Sequence, residues 1–112
     1  MGKKGTRTVS RSEYREYIRS PEWQEVRKRY FASKLPKECY VCGLSNSVLH
    51  LHHRTYKNLG NERLMDLVPL CPEHHFAVHE FHRETNFDLW KATRVYRRNF
   101  VTGSQRGLRS NP

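Results

Sequence analysis

Hydrophobic positions recur with helical spacing toward the two ends of the chain and alternate in its middle. Tyr14, Tyr17 and Ile18 share a helical face behind Ser10-x-x-Glu13, which has the form of a capping box. A second helix start follows at Ser20-Pro21-Glu22, with an N-cap hydroxyl, proline at the first helical position and an acid in the first turn. Trp23, Val26 and Tyr30 then mark a core-facing line. From Val48 to His53 the period changes to two, which predicts a strand with Leu49 and Leu51 on one side. Leu67–Leu70 predicts a short second strand, and Pro69 within it suits an edge. Pro72 opens a helix expected to reach about Glu84. Asn86 is the expected N-cap of a last helix whose apolar line is Leu89, Tyr96 and Phe100. The predicted order is helix, helix, strand, strand, helix, helix, an α+β fold.

Length and charge refine this picture. At 112 residues the chain is one domain, and its 36% apolar content is low for a self-sufficient core. No apolar run approaches the ~18 residues of a membrane span, and no apolar stretch follows the basic start, so neither a membrane protein nor a signal peptide is expected. A soluble cytoplasmic protein is the expectation. Residues 1–37 carry +7, residues 38–82 carry −2 and residues 83–112 carry +5, for a total of +10. Two basic arms thus flank a near-neutral centre, and the arms call for a polyanion. The ends, 1–9 and 102–112, are polar and rich in Gly and basic residues and are expected to be disordered. Gly2 and Thr6 fit a loose myristoylation pattern that a plain basic tail explains equally well. The domain is expected over 10–101, with a helical lead-in (10–37), a Cys/His-rich centre (38–82) and a C-terminal helix (83–101). Arg27, Lys28 and Lys34 lie off the apolar line of the second helix, as a solvated face or as phosphate contacts.

The centre holds all three cysteines and all seven histidines. Three cysteines cannot pair off, and a metal is the alternative staple for a small core. Cys39-x-x-Cys42 and Cys71-x-x-His74 each separate two ligands by a tight turn, which suits a closed tetrahedral structural zinc site, with Gly43 fitting the turn. A second constellation is His52, His53, His75 and His79. His75 and His79, four residues apart on a helix, project from one face. His52 and His53, adjacent on a strand, point to opposite sides, so one can bind a metal while the other faces a substrate. Three protein ligands leave coordination positions open, and a neutral histidine can take a proton from an attacking water. That chemistry fits metal-assisted phosphodiester hydrolysis.

Cys39-Tyr-Val-Cys42-Gly43, Leu49-His-Leu-His52-His53-Arg54-Thr-Tyr56, Asp66-Leu-Val-Pro-Leu-Cys71-Pro-Glu-His74-His75 and then His79 together resemble the HNH endonucleases, whose fold is a ββα-metal (His-Me finger) core with a zinc knuckle. The Ser20-Pro-Glu-Trp-Gln24 lead-in is similar to that of small bacterial and phage members, and the likeness covers roughly 14–82. The resemblance implies an endodeoxyribonuclease that nicks one strand per active site and leaves 5′-phosphate and 3′-hydroxyl ends. It implies His53 as general base, and His52, His75 and His79 as ligands of a catalytic divalent ion (Mg²⁺, Mn²⁺, Ni²⁺, Co²⁺ or Zn²⁺). The structural zinc falls to Cys39, Cys42, Cys71 and His74. The central position of the motif, which supports the loop between the strands, is Asp66 instead of asparagine; His74 stands where a fourth cysteine is usual. Arg54 is a candidate phosphate clamp or an ion-pair partner; His50 either lines the site or is a surface residue, His82 is an alternative ligand to the preferred His79, and Asn61 is a nearby asparagine read as a turn residue. DNA is the implied partner, met mainly through its phosphates, and the nuclease can serve a larger phage packaging or recombination machine. A zinc-stabilised nucleic-acid-binding module without catalysis is the competing reading, and the clustered histidines distinguish the two.

Overall fold

A two-stranded sheet with helices on both of its faces forms the centre of the molecule. The computed structural model describes residues 9–45 and 48–110, with side chains described through Gly103. Helix α1 spans Arg11–Tyr17 and α2 spans Pro21–Ala32. Strands β1 (His50–His53) and β2 (Leu67–Leu70) follow, joined by a loop that ends in a 3₁₀ turn at Leu64–Asp66. Helices α3 (Pro72–Arg83) and α4 (Leu89–Ser110) complete the chain. Among the described residues no helix is long and apolar enough to cross a membrane. The expected N-terminal tail, with its Gly2–Thr6 pattern, lies outside the described residues apart from Val9.

Local signals explain the helix starts. The Ser10 hydroxyl accepts from the Glu13 backbone N–H at 3.1 Å while the Glu13 carboxylate accepts from the Ser10 N–H at 3.0 Å, a reciprocal capping box. Ser20 caps α2 by accepting from Trp23 N at 3.2 Å, with Pro21 in the first turn, where no N–H partner is needed. After α2 the chain is held by Lys37, which donates to the carbonyls of Ser33 and Leu35, and by Tyr30, whose hydroxyl donates to Pro36 O at 2.8 Å.

The strands pair antiparallel with His50 opposite Leu70 and His53 opposite Leu67. Strand pairing begins at His50 rather than Val48. The partner strand ends at Leu70, because Cys71 caps α3 and Pro72 turns the chain into the helix, so the ladder stops at the His50–Leu70 pair. Pro69 cannot donate a ladder hydrogen bond, and its carbonyl accepts from Tyr40 N at 2.8 Å. The Cys39–Gly43 segment therefore runs along the outer edge of β2.

Two small cores lie on the two faces of the sheet. Trp23, Val26 and Tyr30 of α2 pack with Leu51 and Leu67 on one face. Cys39, Val41, Leu49, Leu70, Cys71 and Val78 pack on the other, backed by Tyr96 and Phe100 of α4.

Helix α4 differs from expectation at both ends. It begins at Leu89, not Asn86: Thr85 holds the preceding turn by accepting from Phe87 N, and the Asp88 carboxylate accepts from Lys91 N at 2.8 Å as the cap. It also continues to Ser110, through the 102–110 segment expected to be disordered. Gly103 costs a helix about 1 kcal/mol relative to Ala, and no proline intervenes before Pro112, so nothing in that stretch forces a stop.

Leu70 is fully buried at the junction of sheet, Cys39–Gly43 segment and α3. Leu70→Ala should lower the stability of the metal-loaded protein by about 2–5 kcal/mol. Met65→Ala, on the exposed loop, should change it by less than about 0.5 kcal/mol. Denaturant unfolding of the two variants checks both.

Candidate metal centres

Two groups of side chains converge, one on each side of α3's first turn. Cys39, Cys42, Cys71 and His74 present ligand atoms within 4.8 Å of one another. The His74 Nδ1 lies 3.4 Å from the Cys71 sulfur and 3.9 Å from that of Cys39. Such spacing suits four ligands around one ion with bonds of about 2.0–2.3 Å. The turn that builds the first pair is closed by Gly43 N donating to Cys39 O and Cys39 N donating to Leu44 O, both at 2.8 Å. Gly43 adopts φ +81°, which a β-carbon would disfavour. The second pair flanks the start of α3, where Cys71 is the cap residue and His74 is buried in the first turn.

The sulfurs are electrostatically crowded. Burial pushes the Cys39 thiol up, but N–H groups of Cys71, Cys42 and Val41, together with His74, outweigh it and bring the thiol down to about 7. Burial and the neighbouring Cys39 and Cys71 sulfurs drive Cys42 up to about 11. A divalent cation among the three sulfurs reverses that conflict, and a thiolate-rich set with one imidazole is the donor chemistry of zinc. Helix α4 closes the outside: Phe100 packs edge-on to the His74 ring at 4.7 Å, and Arg97 donates to Tyr40 O at 2.9 Å.

The second group is His52, His75 and His79, again with ligand atoms within 4.8 Å of one another. Its hydrogen bonds reveal which nitrogens are available. Thr93 donates its hydroxyl to Leu89 O at 2.7 Å, so toward His52 Nε2, 2.9 Å away, it acts as acceptor. His52 therefore carries its proton on Nε2, and its buried Nδ1 has no partner in the protein. His75 places Nδ1 2.9 Å from His50 Nδ1 and leaves Nε2 buried and unpartnered. Buried nitrogens without partners are rare, and two of them facing a third imidazole are a donor set that fits a metal ion. Burial and the neighbouring His79 and His50 hold His75 down to about 3; burial likewise depresses His52 and His79. All three are neutral at physiological pH, the form that binds metal.

His53 is on the opposite face of β1, as the strand period requires. It does not face open solvent. Its ring stacks on Trp23 at 5.0 Å, Tyr14 and Tyr56 close its sides, and its side chain is 0% exposed. Its Nε2 lies 2.8 Å from the Glu62 carboxylate, whose other oxygen accepts from the Tyr17 hydroxyl at 2.7 Å. Nδ1 of His53 is buried without a partner.

Asp66 holds the loop between the strands. Its carboxylate accepts from Asn58 Nδ2 at 2.9 Å and Arg63 N at 3.0 Å, and its carbonyl accepts from Arg54 N at 2.7 Å. Burial raises its pKa, but these donors outweigh it, so the carboxyl stays ionised below the usual range. The amide donor that an aspartate lacks is supplied by Asn58.

The basic candidates separate. Arg27 lines a recess of about 300 Å³ with Tyr14, Ile18, Trp23, Leu51, His50 and His75. Lys28 is exposed and faces Glu25. Arg54 lies over the Trp90 ring at 4.6 Å and lines a different cleft, with Lys57 and Arg63. Glu62, Thr93 and Asn58 are the residues that sequence patterns missed. Glu62 had one signal, an acid just after a Gly-Asn turn; Thr93 had none beyond its position on the inner face of α4.

The two sites should respond differently to metal removal. A mild chelator should strip the three-histidine site with little change in helical circular dichroism. Removing the ion held by Cys39, Cys42, Cys71 and His74, or Cys71→Ser, should abolish the cooperative fold, because the small core would depend on it. Metal analysis after dialysis should find about one zinc per chain.

Comparison with family models, with curated proteins and with solved structures returns no match to this chain, so its assignment rests on the two centres themselves.

Proposed function

We propose that the protein is a metal-dependent endodeoxyribonuclease of the HNH type, built on a ββα-metal core, that nicks one DNA strand per active site. The carrying observation is the three-histidine group with two unpartnered buried nitrogens, one of them on His75, which lines a recess that also holds Arg27. A purely structural role needs neither open coordination positions nor a recess beside them. Cys39, Cys42, Cys71 and His74 would hold a zinc ion that stands in for the missing core, and His52, His75 and His79 would hold a divalent ion that could supply charge stabilisation to a phosphate.

The residues of the chain have separate tasks in this reading. Arg27, at the rim of the recess, pairs with a phosphate oxygen; its guanidinium lies 5.4 Å from the Phe31 ring centre, which limits its freedom. His53 takes a proton from the attacking water through Nδ1, the nitrogen that Glu62 leaves free. The ring is covered in the free protein by Trp23, Tyr14 and Tyr56. Thr93 fixes the His52 ring from behind, and Asp66 keeps the loop that follows β1 in place. The basic arms bind the backbone without reading sequence.

Supercoiled plasmid incubated with the protein and a panel of divalent ions should convert to the open circle. His53→Ala should retain zinc, fold and DNA affinity but nick at least ~10²-fold more slowly, with no rescue by excess ion. His75→Ala should lose affinity for the catalytic ion and regain activity in part when that ion is raised. Arg27→Ala should shallow the dependence of log affinity on log salt by about 0.9. If no ion supports nicking by the wild type, the catalytic reading fails and a zinc-stabilised DNA-binding module replaces it.

A further inference from the structure

A chain of three polar side chains, with half-buried Tyr17 leading to buried Glu62 and His53, lies on the side of the sheet away from the metal ligands. Tyr17 of α1 donates to one oxygen of Glu62 at 2.7 Å, and the other oxygen meets His53 Nε2 at 2.8 Å. Glu62 and His53 side chains are both 0% exposed. A carboxylate taken out of water is costly unless it is fully hydrogen-bonded, and both oxygens of Glu62 are occupied. An apolar pair of similar shape would hold the loop to the strand at less cost, so the charge calls for another explanation.

We propose that Glu62, anchored by Tyr17, is a positioning residue that fixes the His53 ring with its proton on Nε2 and thereby makes Nδ1 the proton acceptor. The proposal rests on the nuclease reading above and adds to it the group that selects which nitrogen acts. An ionised carboxylate accepts hydrogen bonds and cannot donate, so His53 must donate from Nε2. The lone pair then resides on Nδ1, the nitrogen that lacks any partner in the protein. The ring plane is set independently by stacking on Trp23, with 27° between the planes. Orientation and tautomer are thus controlled by different neighbours.

The reaction balances on this arrangement. An O–H bond of the attacking water breaks, its proton moves to His53 Nδ1, and its oxygen bonds to phosphorus. The bond from phosphorus to the 3′ oxygen breaks, and that oxygen leaves with the bonding pair and takes a proton from solvent. Glu62 remains ionised throughout and stabilises the imidazolium, as the carboxylate does in a Ser-His-Asp triad.

The test uses full-length, zinc-loaded protein with ¹⁵N-labelled histidine. Wild type should show His53 protonated at Nε2, and Glu62→Gln should keep that tautomer, because the amide oxygen still accepts. Glu62→Ala should move the proton to Nδ1 in a sizeable fraction of molecules. In nicking assays Glu62→Ala should lower kcat by about 10²-fold or more with KM little changed, and Glu62→Gln should recover part of the loss. Tyr17→Phe, which removes one hydroxyl, should give a smaller fall in kcat and serves if Glu62→Ala does not fold. An unchanged tautomer in Glu62→Ala, a loss confined to KM, or a wild-type kcat in both Glu62→Gln and Tyr17→Phe overturns the proposal. The spectrum reads positioning without activity. A wild type that cuts nothing therefore refutes the nuclease, while the ring tautomer still decides the assignment of Glu62.

Discussion

Two strands of four residues each cannot hold together in water, and the arrangement of the whole chain follows from that weakness. Both faces of the sheet must be covered. Helices α1 and α2 cover one and α3 and α4 the other, and neither layer is large enough to make a conventional core. The shortfall is met in part by buried cysteine and histidine side chains. On one face the cluster includes Cys39 and Cys71, which are also metal-ligand candidates. On the other, His53 fills a space between Trp23, Tyr14 and Tyr56 that an aliphatic residue would ordinarily occupy. Several candidate-site residues are therefore core residues as well.

The strand period turns this economy into a division of labour. His52 and His53 are one residue apart but belong to different environments, one among imidazoles and the other beside a carboxylate. Each has its Nε2 engaged and its Nδ1 left over. The partner of Nε2 differs in a way that matters. Thr93 is neutral and orients His52 without adding charge, whereas Glu62 is a carboxylate that, despite burial, its hydrogen-bond partners keep ionised. Burial opposes charge on His52 and keeps its ring in the neutral form that can bind a metal.

Much of this was legible in local sequence. Ser10-x-x-Glu13 and Ser20-Pro21 announce their helices because caps act within four residues. The Cys39–Cys42 and Cys71–His74 pairs announce a metal site because each is closed by one turn. His52, His75 and His79 could be brought together on paper because strand and helix periods are known, and the register His52 opposite Val68 places the strand beside the helix that β2 leads into. Long-range hydrogen bonds left no such trace. Glu62 meets His53 across a nine-residue loop, and Thr93 meets His52 across 41 residues. Arg27 and Arg54 looked equivalent as basic residues, but the recess beside His75 belongs to Arg27, and Arg54 is drawn to Trp90. The start of α4 was misplaced because Asn86 and Asp88 are both good caps, and only the Thr85 turn chooses between them.

The contact between Tyr40 and Pro69 bears on how such a protein fails. Strand β2 is Leu67-Val68-Pro69-Leu70, buried at every position, with one side paired to β1 and the other covered by the Cys39–Gly43 turn. That turn stays closed as long as its sulfurs are gathered at one point. When they are released, a short apolar strand edge is uncovered, and such edges pair with copies of themselves. Pro69 interrupts the row of donors along that edge and so slows the growth of any such stack. Loss of the metal from the Cys39, Cys42, Cys71 and His74 site would then favour self-association, with Pro69 as the brake built into the strand.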